Sequence, residues 1–147
     1  MNRDVAGNET LRVLRSVRSV RDFRPDPISE ADLTAILEVA RWTGSGGNDQ
    51  PWTFVVVRDR DTTAAIAEAS PNTRHIAGAA AAIVIVMAAV APGIESFDEA
   101  RAAERILVAA TALGLASAIR WVVPKASEQV KTLLGVPHER ALRTLVS

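Results

Sequence analysis

The fold is decided by one stretch of the chain, Ser45-Gly46-Gly47-Asn48-Asp49-Gln50-Pro51-Trp52, followed by Thr53-Phe54-Val55-Val56-Val57. Together with Gly44, the two glycines give the first part a backbone freedom that other residue types lack, which predicts a loop. From Trp52 to Val57 the residues are mostly apolar and β-branched, a pattern typical of a strand covered on both faces. The sequence therefore predicts a polar loop that leads into a central strand.

The residues before this loop predict a capped helix. Ser29 is a candidate N-cap, with Asp32 three residues on, and the helix is predicted to end near Thr43. Its apolar face comprises Leu33, Ile36, Leu37 and Ala40. Further upstream, Thr10 to Arg18 can form a helix, and Pro25 and Pro27 then favour an extended segment.

Downstream of the loop, helices and strands alternate. We expect strands at Ala82 to Val86 and at Ala141 to Val146. Three helices are predicted from candidate caps: one from Asp61 to Ala69, one opened by Ser96-Phe97-Asp98-Glu99 and stopped at Gly114, and one capped by Ser127 and ending at Gly135. The inward face of the second is predicted to hold Ala100, Ala103, Leu107 and Thr111. This order indicates one α/β or α+β domain that spans residues 1–147.

Composition narrows the classes of function. The chain has 147 residues, of which 48% are hydrophobic and 23% charged, as in globular proteins. Its 17 basic and 17 acidic residues cancel, so no overall field favours nucleic acid or an anionic membrane. The charged start Met1 to Asp4 leads into no apolar signal core, and the apolar stretch Ile76 to Ala91 is shorter than the roughly 20 residues of a membrane helix. Without cysteine or a signal, we expect a cytoplasmic protein.

Two polar clusters are candidate ligand sites. The first, Arg15 to Arg21, offers guanidinium and hydroxyl groups that suit one phosphate, although a solvated basic helix end explains it equally well. The second is the loop from Thr43 to Trp52, here called the glycine loop, where Asn48 and Gln50 each carry a donor and an acceptor. Alternatively, it is a plain polar loop between a helix and a strand. Trp52 by itself is better explained as a core residue. His75 and His138 are isolated, and we interpret both as surface or loop residues.

At these positions the chain resembles the nitroreductase family. The resemblance rests on Arg18-Ser19-Val20-Arg21-Asp22-Phe23, on Pro27-Ile28 before a capped helix, and on Ser45 to Trp52. It continues into the alanine-rich segment Arg105 to Leu115 and the late Leu134-Gly135-Val136-Pro137. It implies an α+β fold with a central, mostly antiparallel sheet flanked by helices, in a homodimer.

The resemblance also implies FMN at the dimer interface, with both subunits contributing to each site. Arg18, Ser19 and Arg21 would lie near the phosphate, and Ser45, Asn48 and Gln50 near the ribityl chain and ring. Ser117 and Ala118 belong to a segment that would pass the flavin and offer it a backbone amide. The implied activity is hydride transfer from NAD(P)H to a nitroaromatic, quinone or similar small aromatic acceptor. Because the cofactor carries that chemistry, no catalytic side chain and no metal are expected.

The chain departs from the family pattern at several places. Val17 stands where members commonly carry a basic residue, and Arg105 where they present an amide. The stretch from Val90 to Glu104 is short, and the sequence stops at Leu145-Val146-Ser147, close to where members add further phosphate ligands and an arm around the partner. We therefore expect altered flavin affinity. The alternatives to an enzyme are a non-catalytic flavin or deazaflavin binder and a structural dimer with a decayed site.

Overall fold

The computed structural model of the protein describes residues 8–24 and 26–147. The predictions made on Met1 to Asp4 and on Pro25 lie outside the described residues. The helices are α1 (Glu9–Ser16), α2 (Glu30–Arg41), α3 (Arg60–Ala69), α4 (Pro92–Ala112) and α5 (Pro124–Leu134). The strands are β1 (Trp52–Val57), β2 (Ala82–Met87), β3 (Ile119–Trp121) and β4 (Ala141–Val146), and 3₁₀ turns form at Gly46–Asn48 and Pro71–Gly78.

The four strands form one antiparallel sheet in the order β1-β2-β4-β3. Every residue of β2 is buried, so β2 lies at the centre of the core. The predicted α+β architecture with an antiparallel sheet is confirmed. The prediction that β1 is central is wrong, since β1 lies at an edge and Thr53 is exposed. An apolar run reports how the faces of a strand are covered, not whether both of its edges are paired.

Helices cover both faces of this sheet. On one face, α2 and α4 pack against β2 through Ile36, Ile106 and Met87. On the other, α5 and the Pro71–Gly78 turn pack through Val130, Ile76 and Val84. The predicted inward face of α2 is confirmed, with Leu33, Ile36 and Ala40 buried and Leu37 packed at the margin. Among the described residues, no helix combines the length and the apolarity required to span a membrane.

Three predicted helix caps are wrong by two to five residues. Helix α3 is capped by Asp59, not Asp61, because the Asp59 carboxylate accepts from the Thr62 N–H at 2.8 Å. Helices α4 and α5 begin earlier, at Pro92 and Pro124, whose fixed φ suits a first helical turn. Ser96 and Ser127 therefore lie inside these helices.

The displaced serines bind carbonyls instead of capping. Ser96 Oγ donates to the carbonyl of Pro92 at 2.6 Å, and the buried Ser127 Oγ donates to the carbonyl of Leu142 at 2.7 Å. Of the predicted inward face of α4, Ala103 and Leu107 are buried, Thr111 is half-buried and Ala100 is exposed. The predicted ends at Gly114 and Gly135 are confirmed, both with positive φ (74° and 64°). Strand β3 was not predicted, since three residues carry too little periodicity.

Candidate functional site

Arg15 to Arg21, here called the arginine-serine segment, lies beside the edge of the sheet that is formed by β3. The Val20 N–H donates to the carbonyl of Ser117 at 2.8 Å, and Ser19 pairs with Ser117 in a parallel bridge. The structure thus brings together Ser19 and Ser117, two of the predicted site residues. Arg18 turns back to α1, because its Nη1 donates to the carbonyls of Arg15 (2.9 Å) and Val17 (2.7 Å). Arg21 is exposed beyond this bridge.

A second group of basic side chains adjoins this segment, formed by Arg21, His75 and Arg120. Burial lowers the pKa of His75, and the nearby charges of Arg120 and then Arg21 lower it further. The imidazole is therefore neutral at pH 7. In the described part of the chain, His75 Nε2, Arg120 Nε and Ser117 Oγ are buried without a hydrogen-bond partner. Unpaired buried polar atoms are costly, so this region is suited to an external polar group.

His75 is a loop residue, as predicted, but it is not fully exposed. It lies in the Pro71–Gly78 turn, is half-buried, and its ring centroid is 6.2 Å from that of Phe23. His138 is exposed as predicted, with Nδ1 2.7 Å from a carboxylate oxygen of Glu128.

The glycine loop is built from left-handed backbone conformations. Gly47, Asn48 and Gln50 have φ values of 59°, 60° and 47°. The Gln50 N–H donates to Ser45 Oγ at 2.9 Å, and Gln50 Nε2 donates to Asn48 Oδ1 at 3.1 Å. The structure thus brings Ser45, Asn48 and Gln50 together on an exposed turn. Non-glycine residues with positive φ cost about 1 kcal/mol or more and cluster at functional sites.

A groove adjoins this loop on the side of α2 and β1. Gln50, Trp52 and Phe54 line it, together with Thr34, Leu37, Glu38 and Arg41 of α2. The rings of Trp52 and Phe54 lie 6.3 Å apart with an interplanar angle of 28°. Trp52 also packs against the core, so it is both a core residue and a groove wall.

Ala118 takes part in the sheet. It is fully buried, its N–H donates to the carbonyl of Ser147 at 2.9 Å, and its carbonyl accepts from the Ser147 N–H at 3.0 Å. The Ser117 carbonyl is likewise engaged by Val20. Both main-chain groups of Ala118 are thus already paired within the chain.

Within one chain, the two clusters lie at opposite corners of the sheet. The glycine loop enters β1 at one edge, beside Met87, whereas Ser117 precedes β3 at the other edge, where Ile119 and Ile83 both face Val146. Three strand spacings of about 4.8 Å give about 14 Å across the sheet, and the four residue-to-residue steps from Ile83 to Met87 give about 14 Å along it. One chain by itself therefore does not bring the two clusters together around a single phosphate or ring.

Sequence reasoning missed three polar residues of these regions: His75, Arg120 and Asp98, whose carboxylate accepts from the Gly46 N–H. All three lie close to residues far away in the sequence, and no spacing within the chain signals such proximity.

Comparison with known proteins places these features in a family. The family model described as "Nitroreductase family" matches residues 14–89, just over half of the chain. A protein of Archaeoglobus fulgidus named for NADH dehydrogenase/NAD(P)H nitroreductase is 33% identical over 148 residues, covering 95% of this chain and 83% of that protein.

Solved structures share the fold over nearly the whole chain. An FMN-dependent nitroreductase from Clostridium difficile R20291 matches with a TM-score of 0.88 at 24% identity, covering 92% of this chain and 83% of that chain. A structure from Bacteroides thetaiotaomicron, again named for NADH dehydrogenase/NAD(P)H nitroreductase, matches with a TM-score of 0.90 at 25% identity, covering 95% and 84%. The chain belongs to the nitroreductase family.

Proposed function

We propose that the protein is an FMN-dependent oxidoreductase that works as a homodimer and transfers hydride from NAD(P)H to a nitroaromatic, quinone or similar acceptor. Family membership supports the reaction class. The Clostridium difficile structure named as FMN-dependent supports the choice of cofactor. The observation that carries the proposal is the group of buried, unpartnered donors beside the exposed arginine-serine segment.

The donors of the arginine-serine segment fit a phosphorylated flavin. Ser19 and Arg21 are both exposed, and Ser19 pairs with Ser117. The segment therefore offers a hydroxyl and a guanidinium to a ligand. A guanidinium forms paired, charge-assisted hydrogen bonds with phosphate oxygens. Arg21 is the better candidate for the phosphate ligand, because Arg18 Nη1 already donates to carbonyls at the end of α1. Ser117 Oγ and Arg120 Nε supply further donors that have no partner within the described chain.

The glycine loop fits the polar part of the flavin ring and its ribityl chain. Gln50 donates one amide hydrogen to Asn48, which leaves Gln50 Oε1 and Asn48 Nδ2 as an acceptor and a donor on the exposed side of the turn. Trp52 and Phe54 give the adjoining groove an aromatic wall. Such a combination of a flat apolar wall and a few polar groups is typical of cofactor sites.

Bound FMN supplies the ring that accepts and donates hydride, and this chain supplies binding, orientation and local charge. The neutral His75 adds hydrogen-bonding capacity beside Arg21 and Arg120 without adding a third positive charge. Arg21 and Arg120 together favour a negative charge at this end of the sheet.

A homodimer is part of the proposal because the two clusters lie at opposite corners of one chain. A second copy related by a twofold axis can place the glycine loop of one subunit against the arginine-serine segment of the other. Each dimer then holds two equivalent sites.

The first test is the absorbance spectrum of freshly purified, untagged protein, followed by titration with FMN. We expect a flavin spectrum, and we expect the loaded protein to oxidise NADH or NADPH when a nitroaromatic or quinone is present, with ping-pong kinetics. Flavin binding without turnover would replace the enzyme by a flavin or deazaflavin carrier. Protein that stays colourless and ignores added flavin would reject both.

A further inference from the structure

Asp98 reaches from α4 to the glycine loop. Asp98 is only 4% exposed, and its Oδ2 accepts from the Gly46 N–H at 3.1 Å across 52 residues of sequence. The other oxygen, Oδ1, lies 3.6 Å from Arg101 Nη1 one turn along the helix. A buried carboxylate costs several kcal/mol of desolvation unless charged or polar groups compensate it. Asp98 therefore has two compensating partners, and one of them is the loop backbone.

The loop also lies close against α4 at two of its glycines. A Cβ added at Gly46 would be 3.0 Å from Ile94 Cγ2, and one added at Gly44 would be 2.8 Å from Arg101 Nη2. Ile94, Asp98 and Arg101 are spaced four and three residues apart, which puts them on one face of the helix. The contact between loop and helix is thus made by one helical face and two glycines.

Neighbouring acidic residues cannot replace Asp98. Glu95 accepts from the N–H groups of Ala89, Val90 and Ala91 at 2.8 to 3.0 Å. Glu99 Oε2 accepts from Arg143 Nε and Nη2 at 2.9 and 2.6 Å. Among the described residues, Asp98 is the acidic side chain of α4 that holds the glycine loop.

We propose that Asp98 is a positioning residue of the flavin site, which fixes the Gly46 N–H and thereby the left-handed turn that presents Asn48 and Gln50. The contacts within the chain support the role of Asp98 in holding the loop. That this loop belongs to a flavin site rests on the proposed function. Asp98 acts through the loop backbone and is not proposed to contact the cofactor. Loss of its carboxylate leaves the Gly46 N–H without its acceptor and frees the start of the turn.

The test compares Asp98→Ala with Asp98→Asn, and with Glu104→Gln as an exposed control on the same helix. Asp98→Ala removes the acceptor, whereas Asp98→Asn retains an amide oxygen that can accept from Gly46. Two quantities are measured below the melting temperature of every variant: amide hydrogen exchange of the peptide 43–52 without flavin, and the Kd for FMN.

We expect Asp98→Ala to exchange the loop amides at least tenfold faster and to bind FMN about tenfold more weakly, in line with the loss of one hydrogen bond to a charged group. Asp98→Asn should recover most of both effects, and Glu104→Gln should match the wild type. Should Asp98→Ala fail to fold, Asp98→Ser serves in its place, since its hydroxyl is too short to reach Gly46.

The outcomes separate this inference from the proposed function. Wild-type protein that binds FMN, with an alanine variant that binds equally well and exchanges equally slowly, would overturn the positioning role. A lower melting temperature with unchanged loop exchange would also overturn it, since that pattern indicates a purely structural role. Wild-type protein that does not bind FMN would reject the proposed function. Faster loop exchange in the alanine variant would still support the role of Asp98 in holding the loop.

Discussion

At the scale of single residues, strained backbone positions are held by polar side chains. Asn48, Gln50 and Ala89 are the non-glycine residues with positive φ in the described chain. Asparagine tolerates this conformation, but alanine and glutamine do not favour it. Gln50 is held by Ser45 Oγ, and Ala89 by the carboxylate of Glu95. In these two cases a side-chain oxygen accepts from the N–H of the strained residue, whereas the Asn48 N–H donates to the carbonyl of Ser45.

The strain at Ala89 predicts that Ala89→Gly stabilises the protein. Its φ of 66° costs L-residues about 1 kcal/mol that glycine does not incur, and the Glu95 contact uses only the backbone N–H. We expect the free energy of unfolding in urea to rise by about 0.5–1 kcal/mol. Ala88→Gly, at the neighbouring position without a positive φ, should lower the free energy of unfolding. Equal losses for both glycines would contradict this account.

The exposed guanidinium of Arg21 predicts discrimination between two flavins. If Arg21 binds the phosphate, Arg21→Ala should weaken FMN binding about tenfold or more, because charge-assisted hydrogen bonds contribute about 1.5–3 kcal/mol. Riboflavin, which lacks the phosphate, should lose less than about twofold. Fluorescence titration with both flavins measures this, and the exposed Lys125→Ala serves as a control for loss of one positive charge. An equal loss for both flavins would place Arg21 away from the phosphate.

At the scale of elements, α4 organises the molecule through three buried carboxylates. Glu95 holds the turn after β2, Asp98 holds the glycine loop, and Glu99 pairs with Arg143 of β4. These three residues are 3 to 4% exposed. One helix therefore links the end of β2, the entrance to β1 and the last strand. The first turns of α4 should respond to mutation more strongly than its exposed acidic positions.

The clearest element-scale prediction concerns Glu95→Gln. Burial alone would raise the pKa of Glu95, but the N–H groups of Ala91, Ala89 and Val90 outweigh it and lower the pKa from its usual 4.5. The substitution turns one acceptor into a donor that faces these N–H groups. We expect a loss of about 2 kcal/mol at pH 7 in urea unfolding.

The pH dependence of this loss follows from the sign of the shift. A lowered folded-state pKa stabilises the protein fully above the unfolded value of 4.5, and this contribution is lost as the pH falls through the folded pKa. The difference between wild type and Glu95→Gln should thus be constant from pH 7 to about 5.5 and shrink below about 4.5. Glu104→Gln should show no comparable loss. A constant difference down to pH 3 would show that Glu95 contributes through packing alone.

At the scale of the whole molecule, the diagonal separation of the two clusters decides how a site can form. The arginine-serine segment and the glycine loop are about 14 Å apart both across and along the sheet of one chain. A site that uses both requires two copies, each of which contributes one cluster. The proposed homodimer therefore makes a prediction that no variant of a single chain can test.

Complementation between two defective variants tests the shared site. Arg21→Ala damages one cluster and Gln50→Gly the other, and glycine at position 50 keeps the positive φ without strain. Each homodimer should bind FMN weakly. Mixed dimers carry one site in which both clusters are intact, so random pairing should restore about one quarter of the wild-type sites. No recovery after co-expression, with mixed dimers confirmed by mass spectrometry, would mean that each site lies within one chain.

Much of the fold was predictable because it depends on interactions between residues close in sequence. Ser29 and Asp32 determine the start of α2, glycines determine the ends of α4 and α5, and the bounds of β4 follow from its apolar pattern. Caps and periodicity act over three or four residues, so the sequence alone displays them. The family and the two polar clusters were recognisable for the same reason.

Tertiary structure decided what depends on distant partners. The edge position of β1 and the partial burial of His75 follow from which elements pack together, not from local pattern. The bond between Asp98 and Gly46 spans 52 residues, and no spacing rule predicts it. Sequence by itself thus determined most of the elements and the family, whereas packing between elements determined strand order, the environment of the ionisable groups and the separation of the two clusters.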